Sequence, residues 1–174
     1  MKFIDEESKK ASAQLAKEKG AFPNFKFSKH TYKIRNATTT TIAPTGSLSI
    51  IADTSSGIEP LFALKYEKSV LDGKMMVCNK LYEEALKRNK GAIPENAARL
   101  FRTAREIKPE QHVRIQAAFQ KYTDNAVSKT VNLPNTATKE DVAKIFILAH
   151  QLKCKGITVY REGSRDECVM CEIK

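Results

Sequence analysis

Residues 36–60, with the sequence NATTTTIAPTGSLSIIADTSSGIEP, contain the side chains whose types and spacing best fit a chemical role. The β-branched run at 38–42 predicts a strand that stops at Pro44, and the small residues after it predict a turn leading into a helix. Backbone N–H groups and hydroxyls converge at such a turn, so it can bind a phosphate. The candidate residues are Thr45, Gly46 and Ser47. The alternative is an ordinary turn that closes a strand.

A second candidate is the C-x-x-C motif formed by Cys168 and Cys171. Two cysteines at this spacing can form a redox dithiol or half of a zinc site, and they can also be incidental thiols. Zinc would need two further ligands, and the histidines of the sequence show no ligand spacing. Cys78 and Cys154 are predicted to be small core residues, Cys78 on a helix and Cys154 ahead of a strand.

In the first half of the chain, apolar periodicity predicts a helix over 5–19 that stops at Gly20. A strand or extended loop is predicted over 61–70, ended by Asp72 and Gly73. Residues 75–88 show an apolar stripe at helical spacing, and a short helix is predicted at about 95–105. The candidate phosphate turn therefore lies between a helix and a strand-forming segment.

The second half of the chain has a more regular pattern of apolar residues. A helix is predicted from Pro109 onward, with its apolar face at Ile115, Ala118, Phe119 and Tyr122. Alternation over 127–133 predicts a strand that Pro134 ends. A capping box at 138–141 opens the next helix, and residues 157–160 are β-prone. A strand, a helix and a strand in this order predict a βαβ unit with a parallel sheet.

Size and charge limit the function classes. The 174 residues, 41% of them apolar, favour one domain with its own core. Thirty Lys and Arg against twenty Asp and Glu give a net charge of +10, which favours anionic partners. The cations are scattered, which argues against a specific nucleic-acid interface. No apolar run is long enough to span a bilayer, so a cytoplasmic protein with reduced cysteines and no membrane partner is expected.

Several blocks of the sequence closely resemble the catalytic chain of adenosylcobalamin-dependent (class II) ribonucleotide reductases. The resemblance extends from about residue 5 to residue 165, and its ordered blocks are more specific together than any one alone. The blocks are NATTTTIAPTGSLS at 36–49, SSGIEP at 55–60, HVRIQAAFQ at 112–120, DNAVSKT at 124–130 and KGITVYR at 155–161.

The resemblance implies an α/β fold, specifically the C-terminal portion of a ten-stranded α/β barrel with parallel βαβ units. It implies a barrel segment over 1–165 and a flexible tail with the C-x-x-C motif over 166–174. It also implies that a substrate phosphate-binding loop consists of Pro44, Thr45, Gly46, Ser47 and Leu48. Gly46 would allow close backbone approach, the hydroxyls would donate hydrogen bonds and Leu48 would offer an N–H. Lys129 and Arg161 are candidates for neutralising the phosphate charge.

The implied function is reduction of ribonucleoside di- or triphosphates to deoxyribonucleotides for DNA synthesis. The family's radical cysteine lies in an Asn-x-Cys-x-Glu loop, which this sequence does not contain. No catalytic residue is therefore expected here beyond a redox role for Cys168 and Cys171, and no metal site is expected. Adenosylcobalamin would be held mainly by an N-terminal reductase polypeptide, without which the chain would be inactive.

Two further expectations concern partners and an alternative function. In the family, a tail cysteine pair re-reduces the active-site disulfide, and a thioredoxin-like reductant is the candidate electron donor for such a pair. The alternative to the reductase role is a non-catalytic remnant that binds nucleotides or nucleic acid through its positive charge.

Overall fold

The computed structural model describes residues 1–70, 73–164 and 170–172. Helices and strands alternate irregularly in the first half of the chain and regularly in the second. In chain order the elements are α1 (Lys2–Lys19), α2 (Gly46–Ala52), β1 (Lys65–Val70), β2 (Gly73–Cys78), α3 (Lys80–Arg88), α4 (Glu95–Ala98), α5 (Pro109–Gln120), β3 (Thr130–Leu133), α6 (Lys139–Gln151), β4 (Thr158–Arg161) and β5 (Met170–Glu172).

The predicted βαβ unit is confirmed by β3, α6 and β4. The two strands are parallel, with Thr130 opposite Thr158 and Leu133 opposite Arg161. The capping box at the start of α6 is present, since Thr138 accepts from the Asp141 N–H and Asp141 accepts from the Thr138 N–H. The hydrophobic core lies between this unit and α5, and its buried members are Val113, Val131, Leu133, Ile145 and Ala149.

A third chain segment, residues 38–42, runs parallel to the residues just before β3, and one β-bridge between them is described. The strand predicted over 38–42 is reduced to a pairing of Ile42 with Val127. The reason is that side chains occupy the ladder positions before it. The Asp124 N–H donates to Thr40 Oγ1 at 2.9 Å, and the Thr39 N–H donates to Asp124 Oδ2 at 2.8 Å. Hydroxyl and carboxylate groups that bond to backbone in this way compete with a regular ladder.

The helix predicted from Pro109 is present as α5, but its buried face was predicted wrongly. Ile115 is 39% exposed, whereas His112, Gln116 and Gln120 are buried beside Val113. The polar residues are buried because they satisfy loop carbonyls. Gln116 Nε2 donates to Val127 O at 3.1 Å and to Gly156 O at 2.7 Å. Apolar periodicity cannot reveal a helix face that is buried for its hydrogen bonds.

The helix predicted over 75–88 begins only at Lys80, because residues 73–78 form β2 and pair antiparallel with β1. Cys78 therefore lies at the end of a strand and not on a helix. Asn79 separates the two elements, and its side chain accepts from the Tyr82 N–H at 3.1 Å. The predicted stop at Asp72 lies outside the described residues. On its other edge, β1 pairs antiparallel with β5.

Helix α1 confirms the predicted stop, since Gly20 follows it with a φ of 78°. The segment predicted as one short helix at 95–105 contains α4 and two short 3-10 turns, at Arg99–Phe101 and Ala104–Glu106. None of the helices in the described part of the chain combines the length and apolar character needed to cross a membrane.

Candidate phosphate-binding site

The predicted phosphate turn has an unusual backbone at Thr45. This residue adopts a left-handed conformation (φ 53°, ψ 26°) immediately before α2, which is rare for a β-branched residue. The first N–H of the helix that donates back into the turn is that of Ser49, to Thr45 O at 2.9 Å. The N–H groups of Gly46, Ser47 and Leu48 precede it and have no intrahelical acceptor. These three residues are exposed.

A second segment, residues 56 and 57, braces the turn through hydrogen bonds. The Gly57 N–H donates to Thr45 Oγ1 at 3.0 Å, and Ser56 Oγ donates to Pro44 O. Gly57 has a φ of 54°, and a Cβ there would lie 3.3 Å from Ala43 O. Only glycine combines this conformation with this close approach without strain. Thr45 is therefore held in its left-handed conformation by residues 56 and 57.

Residues 56 and 57 are not among the site residues that the sequence predicts. The available signal was the SSGIEP block, in which a glycine follows two serines shortly after the predicted turn. Among the residues that were predicted, the structure uses Thr45 Oγ1 and the Pro44 carbonyl within the loop. Gly46 faces open space, since a Cβ there would meet no atom within 4 Å. The side chain of Leu48 is 65% exposed.

The end of the loop is attached to β3 through Glu59. Its Oε2 lies 2.8 Å from Lys129 Nζ, and its Oε1 accepts from the Thr130 N–H. Lys129 is only 3% exposed, so this ion pair is largely removed from water. The ammonium of Lys129 is thus engaged by Glu59 within the chain.

Arg161, the other candidate for neutralising phosphate, is also engaged elsewhere. Its Nε donates to Ala137 O at 3.1 Å, and its Nη2 donates to Asn135 O. Both carbonyls belong to the connection between β3 and α6. The guanidinium therefore stabilises the βαβ unit.

His112, on α5, is a buried polar residue near Lys129. Its Nε2 is 3.0 Å from Ala104 O, and because a carbonyl only accepts, Nε2 carries the proton. Nδ1 is then a buried acceptor without a partner in the described part of the chain. Burial and the nearby charge of Lys129 lower the pKa of His112, against the opposing effect of the bond to Ala104. The residue is structural and neutral near pH 7.

The four cysteines differ in how much of each the structure describes. Cys154 packs against the core, and burial raises the pKa of its thiol, in agreement with its predicted core role. Cys78 is half-buried. Cys168 lies outside the described residues, and for Cys171 only the backbone is described, in β5 opposite Glu67. Within the described ranges, no group of three or more His, Cys, Asp or Glu side chains could hold a metal ion.

Comparison with known proteins places this arrangement in a family. The family model described as "Ribonucleotide reductase, barrel domain" matches residues 28–160, which is most of the chain. The chain belongs to this family. The match includes the predicted phosphate loop, the bracing residues 56 and 57, and the βαβ unit.

Two curated relatives are named "Vitamin B12-dependent ribonucleoside-diphosphate reductase". The protein from Thermoplasma acidophilum is 44% identical over 95% of this chain, and one from Mycobacterium tuberculosis is 40% identical over 98%. The chain spans only 24% and 28% of their respective lengths.

A solved structure agrees in fold. The class Id ribonucleotide reductase alpha subunit of Actinobacillus ureae is similar with a TM-score of 0.74 over 93% of this chain, at 24% sequence identity. The similarity covers 33% of that subunit.

Proposed function

We propose that the chain supplies the C-terminal part of the barrel of a vitamin B12-dependent ribonucleotide reductase and binds the phosphates of its ribonucleotide substrate. The names of the relatives support the reductase role and a diphosphate substrate. The parallel order of the Ile42 segment, β3 and β4 is compatible with a portion of a ten-stranded barrel. The proposed barrel segment covers 1–165, and the proposed flexible tail covers 166–174.

The phosphate-binding residues proposed are Pro44, Thr45, Gly46, Ser47 and Leu48. The observation that carries this assignment is the left-handed Thr45 at the start of α2, since three exposed residues follow it whose N–H groups have no intrahelical acceptor. Consecutive outward N–H groups form a cradle for an anion. A β-branched residue held in such a conformation is costly, and costs of this kind concentrate at functional sites.

The proposal requires the remainder of a reductase, which would carry the radical cysteine loop and most cobalamin contacts. Its likeness to relatives about four times its length supports this requirement. So does α2, whose apolar side chains are exposed: Leu48 by 65%, Ile50 by 63% and Ile51 by 81%. Exposed apolar side chains grouped on one short helix are typical of a surface that is covered in a larger protein. Alone, the chain would be inactive.

Adenosylcobalamin is proposed as the cofactor of the assembled enzyme, held mainly by the N-terminal reductase polypeptide, and two histidines of this chain have a ring nitrogen engaged by backbone. His112 is buried with Nε2 on Ala104 O, and His30 Nε2 lies 3.1 Å from Ala37 O. The chemistry that the cofactor supplies in such enzymes is the generation of a radical. No step of it is assigned to residues of this chain.

Cys168 and Cys171 are proposed as the redox dithiol that returns electrons to the active site, with a thioredoxin-like protein as their reductant. Zinc ligation and incidental thiols are the alternatives. The position of β5 beside β1 means that residue 171 belongs to a strand whose edge pairing would have to open before it could travel. Electron transfer by movement of Cys171 to the active site would therefore require β5 to separate from β1.

The test is Gly46→Val in the chain assembled with the preceding part of the reductase. Because a Cβ at 46 meets no protein atom within 4 Å and φ there is not positive, valine should be accommodated by the fold and obstruct a ligand at the N–H groups. The KM for ribonucleotide should rise about tenfold or more, as expected for losing a hydrogen bond to a charged group. Gly156→Val is the matched control, since Gly156 also faces open space.

An unchanged KM in the Gly46→Val enzyme would remove the phosphate assignment. Salt-sensitive DNA binding by the chain, unaffected by the same substitution, would instead favour the alternative of a nucleic-acid-binding remnant.

A further inference from the structure

The loop that contains the candidate phosphate site is attached to a single strand at both of its ends. At its start, the Ser128 N–H donates to Ile42 O at 2.8 Å, and Ile42 bridges Val127. At its end, Glu59 bonds to Lys129 and to the Thr130 N–H. All of these partners lie in residues 127–130, at the entrance to β3.

The two attachments differ in strength. The one at Ile42 consists of ordinary backbone hydrogen bonds, which any sequence could provide. The one at Glu59 depends on two specific side chains, one of them a lysine that is 3% exposed. Hydrogen bonds between ionised groups are shorter than neutral ones and roughly twice as strong. The position of residues 56–59 therefore depends on Glu59.

Those residues in turn hold Thr45. The Gly57 N–H bonds to Thr45 Oγ1, and Ser56 bonds to the Pro44 carbonyl, only two and three positions before Glu59. The ammonium of Lys129 thus contacts Glu59, the backbone joins Glu59 to Gly57, and Gly57 bonds to the left-handed turn. No contact in this series requires a ligand.

We infer that Glu59 and Lys129 are positioning residues for substrate binding, which act by fixing the outward N–H groups of residues 46–48. The functional part of this inference rests on the proposed phosphate role of the loop. Its structural part, that the Glu59–Lys129 ion pair holds the turn, stands independently and can be measured on the chain itself.

The experiment replaces both partners together, as Glu59→Met with Lys129→Met. Removing one partner would leave an uncompensated buried charge, whereas replacing a buried ion pair with apolar residues of similar volume commonly preserves folding. The exposed pair Glu83 and Lys87 on α3, changed in the same way, is the matched control.

The structural readout is amide hydrogen exchange at Gly57 in the 174-residue chain. Loss of the Glu59–Lys129 ion pair should accelerate exchange of the Gly57 N–H about tenfold or more. The local opening that exposes this N–H to water then no longer has to break an ion pair. The functional readout is the ribonucleotide KM of the assembled reductase. It should rise about tenfold or more while kcat changes little, since the affected groups bind substrate and do not react.

The two readouts separate two kinds of failure. Unchanged exchange at Gly57 would overturn the inference, whatever the KM. Faster exchange with an unchanged KM would uphold the attachment and reject the phosphate role of the loop.

If the double variant does not fold, Glu59→Asp provides the second test. It keeps the negative charge beside Lys129 but is one methylene shorter, so it cannot maintain both contacts in place. Faster exchange at Gly57 in this variant supports the inference, and exchange equal to that of the unmodified chain overturns it.

Discussion

His112 and Gln116 lie one helical turn apart on α5, and each has a buried acceptor atom without a partner in the described part of the chain. Their other polar atoms are used: His112 donates to Ala104 O, and Gln116 donates to two carbonyls. The two residues therefore hold loops of the chain by donating, and they leave acceptors facing inward. Burying a hydrogen-bond acceptor without a partner costs less free energy than burying an unpaired charge. His112 must therefore stay neutral in the folded state.

This state of His112 predicts a loss of stability in mild acid. Its folded pKa is lowered from the ordinary 6.5, so below that value the unfolded chain binds a proton that the folded chain does not. The free energy of unfolding should fall as pH drops below about 6.5, by at most about 1.4 kcal/mol per pH unit. His112→Gln should remove this part of the dependence.

Urea unfolding of the chain between pH 5 and about 7.5 measures the effect. His150→Gln, which removes an imidazole at an exposed position on α6, is the matched substitution for comparison. If the His112→Gln chain lost stability toward pH 5 as steeply as the unmodified chain, His112 would not be the group that titrates.

At the scale of elements, Asp124 joins three parts of the chain. Its Oδ2 accepts from the Thr39 N–H at 2.8 Å and from the Thr39 hydroxyl at 3.1 Å, and its Oδ1 lies 3.4 Å from Lys9 Nζ on α1. Ser8 Oγ adds a bond from α1 to Thr39 Oγ1 at 2.9 Å. The N-terminal helix is thus attached to the segment that leads into the candidate phosphate loop.

Asp124→Asn should weaken this attachment. Burial alone would raise the pKa of Asp124, but the hydrogen bonds from Thr39 and the charge of Lys9 outweigh it, so the pKa is lowered. The resulting stabilisation is present above the unfolded pKa of about 3.9 and is lost as pH falls through the lower folded pKa. At pH 7 the substitution should cost about 1–2 kcal/mol in the free energy of unfolding.

Acid unfolding curves of the two chains test this prediction. The matched control is Asp53→Asn, which breaks an exposed ion pair with Lys80 and should change stability by less than about 0.5 kcal/mol. Equal costs for the two substitutions would show that Asp124 does not join the elements.

Elements with a local signal could be predicted from the sequence. The Gly20 stop, the capping box at Thr138 and the alternating strand before Pro134 are each encoded within a few residues, and all three are present. The strand β2 was missed because its pairing with β1 outweighs the helical periodicity of residues 75–78. Tertiary pairing of this kind has no signature in a single segment.

The candidate site divides in the same way. The turn at 44–48 is predictable because its residue types are consecutive. The roles of Gly57 and Glu59 depend on contacts with Thr45 and Lys129, which are distant in sequence. Likewise, the alternation over 127–133 places Lys129 on the same face as Val131 and Leu133, but only the fold reveals that Glu59 pairs with it.

At the scale of the whole molecule, the chain buries one core and leaves other apolar side chains exposed. The core lies between α5, α6 and β3, whereas Ile50 and Ile51 of α2 are 63% and 81% exposed. Phe146 and Ile147 on α6 are exposed by 49% and 58%. Exposed apolar groups on several elements are typical of a surface that another polypeptide segment covers.

The substitutions Ile50→Asn and Ile51→Asn test whether α2 is such a surface. In the chain alone, the free energy of unfolding should change by less than about 0.5 kcal/mol, because both side chains are already in water. Affinity for the preceding part of the reductase should fall at least about tenfold, since each isoleucine contributes roughly 1.5 kcal/mol or more when buried. Sedimentation of the mixed polypeptides measures this affinity, and an unaltered value would place the contact surface elsewhere.

The attachment of residues 42 and 59 to one short stretch of backbone also has a mechanical consequence. A translation of β3 carries both ends of the loop with it, so the turn at Thr45 moves as a unit and keeps its shape. A rotation that separates Lys129 from Glu59 frees only one end and distorts the turn. Under the proposed phosphate role of the loop, substrate affinity should therefore tolerate sliding of this strand and be sensitive to its twisting.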